Sequence, residues 1–118
     1  MSSLTFVLTK PSYSDSSVEE SINMALLAAS MDQDVTIIFI NDGINVMLNA
    51  QNGVLIGYQE YTAKLGALSL YEINKLYICE QSLMKREVSL AELHNGIKPI
   101  NAAKIKHIIN QSDKTLIF

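Results

Sequence analysis

With a single cysteine, Cys79, the chain cannot close an internal disulfide, so its core has to hold by packing alone, which 118 residues are enough to do. Histidine is almost as scarce. His94 and His107 lie apart, with no cysteine or carboxylate at ligand spacing, so each reads as a surface histidine and no metal is implied. Gly43, Gly53, Gly57, Gly66 and Gly96 lack the spacing of a dinucleotide fingerprint or a phosphate loop, which argues against Rossmann dehydrogenase and NTPase chemistry. The Gly-x-Ser-x-Gly elbow of serine hydrolases is missing too, and nothing points to a bound cofactor. No apolar run approaches the length of a membrane span. Leu4 to Leu8 is too short for a signal core and meets Lys10-Pro11 at once, so a cytoplasmic address is expected. Without repeats, low-complexity tracts or linkers, residues 1–118 read as one domain.

Hydrophobic residues make up 48% and charged residues 18%, which excludes a disordered chain and leaves apolar surface to spare. Such a surplus fits a face that meets a partner, or a sheet buried on both sides, and the two can hold together. The net charge of −3 argues against tight direct nucleic-acid binding. It is unevenly spread: residues 1–60 set Lys10 against seven acids, whereas residues 61–118 set eight bases against five acids. That asymmetry suits electrostatic steering between subunits.

Strand and helix signals alternate along the chain. Leu4 to Leu8 predicts a central strand, stopped by Pro11. A helix is expected over 15–31, capped by Ser14 or Asp15, with Val18, Ile22, Leu26 and Ala29 inward. Val35 to Ile40 is a second strand ending in the turn signal Asn41-Asp42-Gly43. Asp42 reads first as a turn residue and second as a functional carboxylate at a strand end. In the next stretch Ile44, Val46, Met47, Leu48, Val54, Leu55 and Ile56 are more apolar than a connection needs. They form either a lid over the sheet edge or a subunit contact, and the contact is favoured because surface loops are normally polar. A helix is expected at 59–70 despite Gly66, then a third strand Leu76 to Cys79 and a helix Gln81 to Arg86. Ile97 to Ile100 is a short strand, Asn101 caps a helix over 101–111, and Thr115 to Phe118 closes the sheet. This order predicts a three-layer α/β fold, flavodoxin-like, in which a mainly parallel five-stranded sheet carries helices on both faces.

The distinctive chemistry lies at the seam after the third strand. Cys79 ends a buried run, Leu76-Tyr77-Ile78, and precedes a helix with acid at its start and base at its end. Open α/β sheets place ligands at such carboxyl ends. Backbone N–H groups at the helix start favour a thiolate, and the Glu80 carboxylate opposes it. Cys79 is therefore either a buried small hydrophobe or a reactive thiol, and the three apolar residues before it favour the first.

Three stretches resemble one family. Phe39-Ile40-Asn41-Asp42-Gly43-Ile44, Leu70-Tyr71-Glu72-Ile73 and Tyr77-Ile78-Cys79-Glu80-Gln81-Ser82-Leu83 are similar in order and spacing to DsrE/DsrF-like sulfur-relay proteins, most of all the TusC (DsrF-like) branch, and Thr115 to Phe118 matches in character. The resemblance spans nearly the whole chain. It implies a DsrE-like fold and a subunit that joins TusB-like and TusD-like relatives in a dimer of heterotrimers. Such a complex exchanges persulfide sulfur with transient carrier proteins on the way to 2-thiolation of the tRNA wobble uridine, or serves sulfur oxidation in DsrF-like relatives. The resemblance assigns the persulfide-carrying cysteine to the TusD-like subunit, which makes this chain an accessory subunit; the alternative is a sulfurtransferase subunit using Cys79 itself. Two departures stand out. The loop Pro11 to Ser17 has no glycine, and Glu87 stands where a glycine often follows the basic pair Lys85-Arg86.

Overall fold

β1 (Ser3–Leu8) is buried on both faces from Thr5 onward, as a strand must be when helices cover a parallel sheet from either side. It pairs in parallel with β2 (Asp34–Phe39) on one side and with β5 (Lys114–Ile117) on the other, and Phe6 is the register partner of both Ile37 and Leu116. Beyond β2 lie β3 (Lys75–Cys79) and β4 (Lys98–Ile100), giving the order β4-β3-β2-β1-β5 with every neighbouring pair parallel. This structure, a computed structural model, describes residues 3–9, 17–41, 73, 75–87 and 97–118. The caps expected at Ser14 or Asp15, the stretch Ile44 to Ile56, the helix at 59–70, Asp42 and His94 lie outside them.

Parallel neighbours need crossovers, and the crossovers decide which face each helix covers. From β1 to β4 the chain steps one way across the sheet, so right-handed connections put α1 (Ser17–Ser30) and α2 (Glu80–Lys85) on the same face. The step from β4 to β5 runs back across the sheet and sends α3 (Ala102–Gln111) to the opposite face. Packing agrees with this. Ile22 and Ala25 of α1 and Leu83 of α2 share a core with Phe6, Ile37, Phe39 and Ile78. On the other face the hydroxyls of Thr5 and Ser112, the residue after α3, are hydrogen-bonded. The α/β class, the parallel sheet of five strands and the helices on both faces are as the sequence predicts.

Phe6, Leu8, Ile22, Ile37, Ile38, Phe39 and Ile78 are each below 2% exposed. At roughly 1.5–3 kcal/mol for each buried side chain, these residues hold the sheet to its helices. Helix boundaries follow local chemistry. Asn101 caps α3, its side chain accepting from the Lys104 N–H at 2.9 Å. α1 begins at Ser17 and ends at Ser30, within two residues of the expected span, and Asp32 then turns the chain with φ 62°.

α2 ends in a similar left-handed turn. The Glu87 N–H donates to the Met84 carbonyl at 3.2 Å while Glu87 itself sits at φ 54°. Glycine takes that conformation freely, and a residue with a Cβ gives up about 1–2 kcal/mol. Glu87→Gly is expected to raise stability by roughly 1 kcal/mol, read as a higher urea midpoint at unchanged slope. A lower midpoint would show that the Glu87 side chain supplies more than its backbone costs.

Candidate functional site

The reversal of direction at β4 opens a crevice. β3 runs into α2 on one face, its neighbour β4 runs into α3 on the other, and the chain leaves the two carboxyl ends in opposite directions. Open α/β sheets bind ligands at such a switch point. Cys79, the last residue of β3 and the register partner of Ile100, stands there.

Cys79 is free and 8% exposed. It occupies the N-cap position of α2 with extended backbone (φ −71°, ψ 116°), and its side chain makes no capping bond. The residues around it enclose a cleft of about 340 Å³, the low end of the size range for small-ligand sites. Ile40 at the end of β2, with Ile105 and Ile109 on α3, makes the apolar wall. Asn41, Gln81 and Ser82 bring polar atoms, and Lys85 from α2 and Lys106 from α3 bring positive charge.

The segment Cys79-x-x-Ser82 has a structural role. Ser82 is 4% exposed, and its hydroxyl accepts the Asn41 N–H at 2.9 Å. That bond ties the end of β2 to α2 across the mouth of the cleft. Asn41 needs the help, since its φ of 50° takes it out of the strand.

Other titratable side chains fall elsewhere. Lys75 is at the opposite end of β3, where its Nζ lies 3.0 and 2.9 Å from the Asp34 carboxylate oxygens. Both side chains are substantially exposed, so this pair is worth at most about 1 kcal/mol. Glu80 is exposed beside Cys79 and is not part of the cleft wall. His107 is exposed on α3 and borders a smaller cleft of about 190 Å³ at the amino ends of the strands, with Thr36 and Tyr77. Among the described residues no three His, Cys, Asp or Glu side chains gather as a metal site. No described helix is long and apolar enough to cross a membrane. The residue that sequence reasoning missed is Lys106, because its place in the same cleft as Lys85 depends on α3 crossing to the far face; the signal available was its adjacency to the inward Ile105.

With this geometry in view, the DsrE/DsrF-like family model matches residues 2–118. The chain belongs to the DsrE/DsrF-like family. It is 28% identical to a TusC homologue of Vibrio parahaemolyticus, 27% to one of Vibrio vulnificus strain CMCP6 and 25% to one of Aliivibrio fischeri, in each case over 100% of both chains. Among solved structures it is similar to the ychN protein of E. coli, with a TM-score of 0.80 at 20% identity over 100% of both chains. A Methanobacterium thermoautotrophicum protein of unknown function gives a TM-score of 0.61 at 18% identity, covering 94% of this chain and 91% of that one. At such identities the structural likenesses speak for the fold alone.

Removing the Ser82 hydroxyl would leave the Asn41 N–H without its partner. Ser82→Ala is expected to lower stability by about 1–3 kcal/mol and to shift the backbone resonances of Asn41 and Cys79 together. Shifts confined to Ser82 and its helix neighbours would show that the bond does not shape the cleft.

Proposed function

We propose that this chain is a subunit of a sulfur-relay complex that passes persulfide sulfur towards 2-thiolation of the tRNA wobble uridine, and that it serves there as an accessory, structural subunit. The observation that carries this reading is the family match along the whole chain, with TusC homologues aligned end to end. Its partners in this reading are TusB-like and TusD-like subunits, arranged as a dimer of heterotrimers, and carrier proteins that visit the complex in the cytoplasm.

Exposed apolar surface supports assembly. Met24 and Leu27 on the outer side of α1 and Met31 just past its end follow helical spacing, with Leu27 63% and Met31 66% exposed. Met84 and Ile117 are each 72% exposed. A chain working alone would leave these side chains in water, at a cost of about 25 cal/mol per Å² of apolar surface.

The accessory role rests on the burial of Cys79. In persulfide relay an acceptor thiolate attacks the terminal sulfur of the donor persulfide. A new S–S bond forms, the old one breaks, and the donor leaves as a thiolate with no net change in oxidation state. A relay cysteine therefore needs a thiolate and an open approach. At 8% exposure Cys79 offers a narrow approach, and with no second cysteine in the chain any sulfur it held would have to leave through another protein. One observation favours the second reading, a persulfide-carrying subunit: what exposure Cys79 has opens into the 340 Å³ cleft.

The test is a reconstituted complex carrying Cys79→Ser. Serine keeps the size of the side chain and can make the capping bond that the thiol leaves unmade, so the fold is preserved. Sulfur transfer is expected to fall by no more than about threefold, under ~1 kcal/mol of barrier, with assembly unchanged. A loss equal to that from removing the TusD-like subunit's cysteine, or a persulfide trapped on Cys79 by alkylation and mass spectrometry, would make Cys79 a relay station. Failure to co-purify with any TusB-like or TusD-like protein from the native cell would remove the assembly itself.

A further inference from the structure

We propose that the cleft at the end of β3 is an anion site, in which Lys85 of α2 and Lys106 of α3 hold the negative group of the ligand that reaches Cys79. The inference rests on the reading of this cleft as the functional site, but not on Cys79 carrying sulfur. The chain as a whole has 12 acidic and nine basic side chains and a net charge of −3, yet the cleft wall holds two lysines and no carboxylate among the described residues. Acids are not lacking nearby in sequence, since Glu80 follows Cys79 directly and Glu87 follows Arg86, but both stand in solvent outside the wall. Among the described residues neither lysine has an ion-pair partner, unlike Lys75, which Asp34 neutralises.

Placement strengthens the charge. A lysine on a convex surface is surrounded by water and counter-ions, whereas a concave site with apolar walls focuses the field of its charges into the space between them. Ile40, Ile105 and Ile109 are such a wall. The two lysines come from helices on opposite faces of the sheet, and both line the space at the switch point.

A compact anion is the ligand that suits a cleft of about 340 Å³. Two sources share this chemistry: a free sulfur oxyanion or small carboxylate, and an acidic side chain presented by another protein. Sulfur-bearing anions suit the site most, because their negative end would sit on the lysines while their sulfur faces the thiol.

The experiment is a titration of the full chain followed by 15N NMR, with inorganic thiosulfate in one arm and a blocked Gly-Glu-Gly peptide against its Gly-Gln-Gly twin in the other. Saturable shifts at Lys85, Ala102 and Lys106 are expected, weakening as salt is raised. Lys85→Gln and Lys106→Gln should each weaken binding about threefold and the double variant about tenfold. Lys114→Gln, on β5 away from the cleft, should leave it unchanged, and Lys85→Arg with Lys106→Arg should restore it. Thiosulfate binding alone assigns a free anion, and binding of the Glu peptide alone assigns a protein carboxylate. No saturable shift with either probe, or equal binding by the double Gln variant, overturns the proposal. Anion binding without any persulfide on Cys79 would leave this site standing while the carrier reading falls, and a persulfide formed equally well without the two lysines would do the reverse.

Discussion

The handedness of the crossover connections is the constraint on which the rest of the structure depends. A right-twisted strand feeding a helix packs back onto a parallel sheet in one hand only, so the direction in which the chain steps across the sheet fixes the face each helix covers. Three steps in one direction and one step back leave α1 and α2 on one side and α3 on the other. That single reversal sends the chain from β3 and β4 to opposite faces and opens the crevice. It brings Lys106 across from Lys85, and it sets the amino-terminal end of α3 near a thiol more than twenty positions earlier in sequence.

The central strands were legible in the sequence because a strand buried on both faces needs a nearly continuous apolar run, and Leu4 to Leu8 and Val35 to Phe39 are such runs, broken only by Thr5 and Thr36. The Asn101 cap was legible because its chemistry is local, completed by an N–H three residues away. Cys79 could be placed at the strand–helix seam for the same reason. What could not be read was anything that needs the topology. Nothing near Lys85 in sequence indicates Lys106, and nothing near Lys75 indicates that Asp34 neutralises it across the β2–β3 register. The outer side of α1 was illegible for another reason. Met24 and Leu27 on the helix, with Met31 just past it, are as apolar as the inward Ile22 and Ala25, so apolar character alone does not mark them as exposed alongside Glu20 and Asn23.

Two helices begin at this cleft, and they treat their first turns differently. α3 starts from Asn101, whose side chain accepts an N–H of the turn it opens. α2 starts from Cys79, which makes no such bond. Serine, threonine, aspartate or asparagine at that position would contribute about 1 kcal/mol, and serine is close to cysteine in volume. Capping therefore does not explain the thiol. Its dry surroundings beside Ile40, Ile105 and Ile109 explain it in part, since a thiol is more at ease there than a hydroxyl. Yet a serine hydroxyl would have the helix N–H groups to bond, which offsets most of that difference. Local rules of this kind are broken most often where a site has another demand on the residue. The neighbouring Ser82 sharpens the contrast, because there a hydroxyl at 4% exposure is kept and accepts the Asn41 N–H. Within four residues the chain thus has a hydroxyl where a hydrogen bond is made and a thiol where one is forgone. Folding accounts for the first, and capping leaves the second unexplained.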